Sequence, residues 1–270
     1  MKKTIGYLGP EGSNSHVAAM RWYKNDEKLI PLSQFSLAIA LRDGKVDEVV
    51  LPVENSIEGR VKWVLDLLAQ NKAGHFVIIG EMNLKIKHCL IGFGTREEAV
   101  VIYSISTALG QCRTIIGTTQ TRVTDSTSAA VKLMAENMER SFAAIGTRLA
   151  AKIYKVPVIQ KDVGDSRKNE TRFLVLGKES QKSTGHDKTS IVFEAEDKPG
   201  ALCDPLLILR NLKINMTMIF SEASLDHVRG KYIFFVDFVG HQNDKRPSVA
   251  LDVIREDTKF LRVLGSYPVA

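Results

Sequence analysis

Short apolar runs alternate with helical patterns from residue 4 to residue 176, and this alternation restricts the chain to an α/β fold with largely parallel sheets. Strands are expected at 4–8, 49–53, 76–79, 84–93, 100–103, 114–116, 142–145 and 172–176. Helices are expected at 14–23, 33–42, 60–70, 107–112, 126–138 and in a segment ending at 154. Val61, Val64, Leu65, Leu67 and Leu68 recur at the spacing that gathers apolar side chains on one helix face. Asp125 and Ser126 stand ahead of the 126–138 pattern, where capping residues belong.

Residues 178–188 carry no apolar side chain and read as a linker. A different rhythm follows. Strand patterns at 189–195, 214–221, 231–239 and 260–264 enclose helical ones at 200–212 and 248–255. The order βαββαβ is that of the ferredoxin-like split motif. The expected organisation is one domain over 1–180 and a second over 187–270.

Several function classes are disfavoured at this point. The net charge is +6, but 31 acidic residues are interspersed among 37 basic ones and no basic block stands out, so nucleic acid is not the expected partner. Cys89, Cys112 and Cys203 are odd in number and widely spaced, which supports neither a disulfide framework nor a zinc site. Reduced thiols in a cytoplasmic protein are the expectation. The apolar run after Lys2 and Lys3 breaks at once on Gly9 and Pro10, unlike a signal peptide, and no segment approaches the length of a membrane span.

Three loops carry the chemistry. Gly9-Pro10-Glu11-Gly12-Ser13 and Pro52-Val53-Glu54-Asn55-Ser56-Ile57-Glu58-Gly59 each follow an apolar run and precede a helical one. Lys168-Asn169-Glu170-Thr171-Arg172-Phe173 sets a hydroxyl, a guanidinium and an aromatic ring at the mouth of a strand. Together they suggest one shared site for a small anion. Asn55 and Ser56 offer side-chain donors and free backbone N–H groups, or simply cap the next helix. Gly12 and Ser13 form a similar turn. Strand alternation puts Thr171 and Phe173 on one face and Arg172 on the other, so Arg172 either binds an anion or braces the fold through a carboxylate. Glu54 and His88 read as structural. No dinucleotide fingerprint, catalytic triad or paired-carboxylate pattern stands out.

In this order and with the βαββαβ unit behind them, the motifs resemble the prephenate dehydratase family over essentially the whole chain. Residues 9–15 resemble the family's Gly-Pro-x-Gly-Thr-Phe-Ser opening, 52–59 its Pro-x-Glu-Asn-Ser-x-x-Gly, 126–130 its Ser-Thr-Ala-x-Ala-Ala and 169–173 its Asn-x-Thr-Arg-Phe. Ser104 and Gln111 resemble the Ser and Gln of Ser-His-Pro-Gln-x-x-x-Gln-Cys. Lys198 to Leu202 and Ile214 to Thr217 resemble an ACT regulatory domain. The resemblance implies a two-lobed, periplasmic-binding-protein-like catalytic domain, with lobes at about 1–80 with 160–180 and at 81–159. The chain would cross near Gly80 and return near 158–162. It implies conversion of prephenate to phenylpyruvate, carbon dioxide and water in L-phenylalanine biosynthesis, with no metal or organic cofactor. It further implies L-phenylalanine as effector, and an exposed sheet in the ACT unit suggests pairing between chains as a homodimer or homotetramer.

Within that frame Thr171 is the expected catalytic group, assisting departure of the ring hydroxyl; taken alone it would pass for a β-branched strand residue. Ser13, Asn55, Ser56, Ser104, Gln111, Arg172 and Phe173 are expected to bind substrate, and Gly200, Ala201, Leu202 and Asn215 the effector. The chain departs from the family at Ser13-Asn14, at Ile105-Ser106-Thr107 and at Phe220-Ser221-Glu222-Ala223, where the family has Glu-Ser-Arg-Pro. The first two changes touch pocket walls and leave arogenate, the aminated analogue, as an alternative substrate. The last reverses a charge in the effector motif. Competing readings are a decarboxylase that leaves the hydroxyl in place and a non-catalytic small-anion sensor.

Overall fold

Val49, Val50, Leu51 and Val53 are all buried, on both faces of one strand, as a sheet covered on both sides requires. That strand sits inside the first of three sheets. The computed structural model of the chain describes residues 2–23, 27–71, 74–224 and 231–270. In order come β1 (Thr4–Leu8), α1 (Asn14–Trp22), β2 (Lys28–Leu32), α2 (Gln34–Arg42), β3 (Glu48–Asn55), β4 (Gly59–Arg60), α3 (Lys62–Gln70) and β5 (Val77–Lys85). Next are β6 (Cys89–Gly92), β7 (Val101–Ser104), α4 (Ser106–Gly110), α5 (Arg113–Ile116) and β8 (Gln120–Val123). Then follow α6 (Thr127–Asn137), β9 (Phe142–Gly146), α7 (Arg148–Tyr154), β10 (Val158–Gln160) and β11 (Glu170–Gly177). The first sheet runs β2-β1-β3-β11-β5, with β4 paired to β3, and the second runs β10-β6-β9-β7-β8. The chain therefore leaves the first sheet after Lys85 and rejoins it at Glu170.

By compactness the chain divides into Met1–Val61 with Met82–Phe173, and Lys62–Glu81 with Leu174–Ala270. The division falls within β5 and β11. In the first unit, β1 pairs in parallel with β2 and β3, and β7 with β8 and β9. Gly146 lets α6 lie directly on β9: a Cβ there would stand 2.4 Å from Val131 Cγ2. Gly12, at φ +82°, holds the first loop against the starts of α6 and α7, where a Cβ would meet Ser128 Oγ at 2.8 Å and Ala150 Cα at 2.9 Å. The same loop is tied there by hydrogen bonds. Ser128 donates to the Glu11 carbonyl, and Thr147 Oγ1 to the Gly12 carbonyl at 2.6 Å.

The second unit contains β12 (Asp187–Glu194), α8 (Cys203–Asn211), β13 (Met216–Ala223), β14 (Tyr232–Val239), α9 (Lys245–Glu256) and β15 (Phe260–Pro268). Its sheet is antiparallel, ordered β13-β14-β12-β15, the arrangement expected from βαββαβ. Ile191, Phe193, Leu209, Val236, Phe238 and Ile254 form its core. Residues 62–81 belong to this unit through polar ties: Arg262 Nη1 donates to the Ala69 carbonyl at 2.6 Å, and Lys188 Nζ pairs with Glu81 Oε1 at 2.6 Å.

Four expectations are corrected. The strand over 84–93 is two strands in different sheets, and the crossover lies beyond Lys85 rather than near Gly80. Residues 114–116 are helical, because the Asp165 carboxylate accepts from the N–H groups of Arg113 at 2.7 Å and Thr114 at 3.0 Å and so caps α5. Residues 59–60 pair with β3 before the helix starts at Lys62. The strands β2, β8 and β10 were not foreseen.

Candidate active site

Asn55 ends β3 and Thr171 is the second residue of β11, its neighbour in the first sheet. Pairing of adjacent strand ends brings the second and third loops together. Asn55 Nδ2 donates to Thr171 Oγ1 at 2.9 Å, to Asn169 Oδ1 at 2.8 Å and to the Glu170 carbonyl at 3.2 Å. Asn55 Oδ1 accepts from the N–H groups of Ile57 at 2.9 Å and Glu58 at 3.0 Å, folding the loop back on itself. The Thr171 oxygen thus already accepts a hydrogen bond. Among the described residues no protein group accepts its proton, and Thr171 lines a cavity of about 250 Å³.

Gln111, also lining the cavity, completes the cluster. Its Nε2 donates to Glu58 Oε1 at 2.7 Å, and its Oε1 accepts from Asn169 Nδ2 at 2.7 Å and faces His88 Nε2 at 3.0 Å. Since Gln111 Oε1 can only accept, His88 carries its proton on Nε2. Burial lowers the His88 pKa against the opposing pull of the Gln111 hydrogen bond, which keeps the ring neutral. Its Nδ1 is buried without a partner.

The electrostatics of the cavity are unusual for an anion site. No lysine or arginine is among its described lining residues, and Glu58 is the only one with a formal charge. Positive potential comes instead from helix ends: Ser13, Asn14 and Ser15 at the start of α1, and Ser126 and Thr127 at the start of α6, all face the cavity. Phe173, Ile105 and Val61 supply apolar wall. A larger cavity of about 870 Å³ in the same unit is walled by Arg21, Lys85, Lys87, Arg148 and Lys152, and none of the hydroxyl–amide cluster borders it. Among the described residues there is no group of three or more His, Cys, Asp or Glu side chains placed to hold a metal, and no helix long and apolar enough to cross a membrane.

Residues 5–181 match the family model described as prephenate dehydratase. The chain belongs to the prephenate dehydratase family. It is an enzyme of the carbon–oxygen lyase class, with its place in aromatic amino acid biosynthesis. A prephenate dehydratase from Methanocaldococcus jannaschii is 35% identical over 277 residues, covering 100% of this chain and 99% of the relative. The solved prephenate dehydratase from Arthrobacter aurescens in complex with L-Phe superposes with a TM-score of 0.89 at 29% identity, covering 99% of this chain and 90% of that one. A structure described as GqqA, a novel type of quorum quenching acylase, superposes with a TM-score of 0.88 at 26% identity, covering 99% and 98%.

Against the family's motifs, the structure gathers Thr171, Asn55, Gln111, Phe173 and Ser13 on one cavity and places Ser56, Ser104 and Arg172 off it. Ser13 borders it, but its hydroxyl is engaged: it caps α1 by accepting from the His16 N–H at 3.2 Å and donates to the Leu8 carbonyl at 3.0 Å. Ser56 is exposed and off the cavity. Its hydroxyl donates to the Lys168 carbonyl at 2.9 Å and accepts from the Glu170 N–H at 3.0 Å, bracing the two loops. Ser104 is fully buried and donates to the Ile145 carbonyl at 2.7 Å, so it faces the second sheet's interior. Arg172 is half-buried and does not line the cavity, as alternation along β11 dictates. Asn169 and Glu58 belong to the cluster although neither was singled out; each lay within a motif, but nothing local marked its side chain.

Proposed function

We propose that the Thr171 hydroxyl protonates the departing ring hydroxyl of prephenate while the ring carboxylate leaves as carbon dioxide. The carrying observation is the Asn55 amide donating to Thr171 Oγ1 at 2.9 Å, with the threonine proton turned to the cavity. As the bond to the ring carboxylate breaks, its electron pair enters the ring. The carbon–oxygen bond then opens and the hydroxyl departs as water with the proton of Thr171. The donated amide hydrogen bond stabilises the alkoxide that develops on Thr171, which takes its proton back from solvent. Aromatisation supplies much of the driving force, so a weak acid suffices.

The rest of the cavity fits this division of labour. The side-chain carboxylate is held at the starts of α1 and α6. The ring carboxylate lies against apolar wall including Phe173, where no cation pairs with it, and an unpaired carboxylate loses carbon dioxide more readily. A decarboxylase that kept the hydroxyl would have no use for an acid at Thr171. Gln111 and Asn169 hold Asn55 in place, Ser56 fastens the two loops, and Arg172 braces β11.

The second unit's βαββαβ sheet is read as an ACT domain that follows a two-lobed catalytic domain in the sequence, in a cytoplasmic homodimer or homotetramer. L-Phenylalanine is the proposed effector, at Gly200, Ala201, Leu202 and Asn215; the L-Phe complex of the Arthrobacter aurescens relative supports this. Gly200 sits exposed at φ +85° in the turn before α8, a conformation suited to glycine. Glu222, where the family carries arginine, lies 3.9 Å from Lys62 Nζ. Incubation with prephenate and detection of phenylpyruvate tests the activity. A dose-response with phenylalanine tests the effector, and a flat line removes it.

A further inference from the structure

The cavity beside Thr171 must receive a substrate with two carboxylates, yet it has no lysine or arginine among its described lining residues, and its one formal charge, Glu58, has the wrong sign. The cations lie in an adjoining cavity. That larger space of about 870 Å³ is walled by Arg21, Lys85, Lys87, Arg148 and Lys152, with no carboxylate among its described lining residues. Lys87 lies 3.9 Å from Asp162, and the other four pair with no carboxylate among the described residues. All five are exposed, while Val17, Leu84, Ala151 and Val156 give the same cavity apolar surface. The two cavities share a wall. Asn14, at the start of α1, borders both. Along residues 85–88, Lys85 and Lys87 line the larger cavity, and Ile86 and His88 the smaller.

We propose that the larger cavity is a capture site for the doubly charged substrate, an organic dianion with an apolar ring, before it passes to Thr171. The proposal rests on the dehydratase reading and adds a second binding site to it. Unpaired cations attract a dianion over a Debye length, about 10 Å at 0.1 M salt, and raise its concentration beside them. The apolar wall accepts the ring, and the volume is ample for a molecule of this size. Keeping these cations out of the catalytic cavity has a chemical consequence. A carboxylate in direct contact with a lysine or arginine is stabilised as an anion and resists loss of carbon dioxide. Charge that draws the substrate in from next to the catalytic cavity leaves the ring carboxylate unpaired where its bond breaks.

The test measures kcat and KM of the full-length protein for prephenate from about 20 to about 500 mM NaCl, a range over which exposed charges pass from weakly to strongly screened. Wild type is compared with the triple variant Arg21→Gln, Lys85→Gln, Lys152→Gln. A control triple, Lys28→Gln, Lys45→Gln, Lys132→Gln, makes the same change in net charge at exposed residues that line neither cavity. The expected wild-type KM rises about 10-fold over this range with kcat within about 2-fold. The cavity triple should start with a KM about 10-fold higher at low salt and show little further salt dependence, while the control triple follows wild type. A cavity triple with the wild-type KM and salt response, a control triple that matches it, or a fall in kcat in place of the rise in KM overturns the proposal. Thermal unfolding of the same preparations checks the fold. If the triple variant is unfolded, Lys85→Gln alone carries the test, with an expected rise in KM of about 2-fold at low salt and an unchanged KM as the refuting result. No turnover of prephenate by the wild-type protein would overturn the dehydratase reading itself, whereas turnover with a salt-independent KM overturns only the capture site.

Discussion

Replacing Thr171 by valine removes one oxygen and keeps the branched shape, so it isolates the proposed acid. Its cost to stability is small. Asn55 Nδ2 has two hydrogens and three acceptors, and the Asn169 and Glu170 oxygens at 2.8 and 3.2 Å remain after the substitution. No buried donor is stranded, which limits the loss to about 0.5–1.5 kcal/mol. The cost to turnover is larger. A positioned general acid contributes about 10²- to 10⁴-fold, which at 1.36 kcal/mol per decade is about 2.7–5.4 kcal/mol of barrier. The assay is phenylpyruvate formation from prephenate, with kcat and KM resolved, alongside thermal unfolding of the same preparations. Thr171→Val should lose at least about 100-fold in kcat with KM nearly unchanged, and Thr171→Ser, which keeps the hydroxyl, should recover most of it. A valine variant with kcat within about 3-fold of wild type and a raised KM would refute proton donation and leave Thr171 a binding group.

Three other outcomes follow from the same geometry. Asn55→Ala strips the donor from Thr171 and the acceptor from the Ile57 and Glu58 N–H groups, so kcat should fall by about 10²-fold and stability by about 1–3 kcal/mol, read by activity and urea unfolding together. Ser104→Ala should leave kcat and KM unchanged and cost about 1–3 kcal/mol, because the Ile145 carbonyl loses its buried donor; a loss of turnover without a loss of stability would contradict this placement. His88 is held neutral by burial, so its folded pKa lies below the ordinary 6.5. The unfolded chain therefore binds more protons as pH drops. Stability should be full above about pH 6.5 and decline below it toward the folded pKa, at up to about 1.36 kcal/mol per pH unit. His16 shifts in the same direction through burial, so urea midpoints of wild type and His88→Gln across this range should converge only in part.

What the sequence revealed depended on whether the deciding contact was local. The meeting of Asn55 and Thr171 was legible because each sits in a dense motif at a strand end. Ser104 was not. Val101, Ile102, Tyr103 and Ser104 are all buried, since β7 lies between β8 and β9, and a strand buried on both faces gives no alternation from which to read a side chain's direction. Thr114, Ile115 and Ile116 are β-branched and read as strand, yet Asp165, some fifty residues on, caps them into a helix. Residues 28–32 escaped notice because Pro31 argues against a strand; β2 lies at the sheet's edge, where a residue without an N–H is tolerated. The exposed β8 buries no residue, so no apolar alternation announces it.

The significance of Glu58 was beyond local reading for a different reason, because it lies in the direction of the hydrogen bonds. A carboxylate can only accept, so Gln111 must present Nε2 to it and turn Oε1 the other way. Gln111 Oε1 then requires a donor from Asn169, whose Oδ1 is left to accept from Asn55, whose amide finally donates to Thr171. Each group in this series is amphoteric except the first. The charge of Glu58 aligns Gln111 and Asn169, backbone groups align Asn55 in the same sense, and Thr171 is left without a protein acceptor among the described residues. The threonine proton is turned to the substrate by exclusion. The Ile57 and Glu58 N–H groups hold Asn55 in the same sense from its other side, since both donate to its Oδ1.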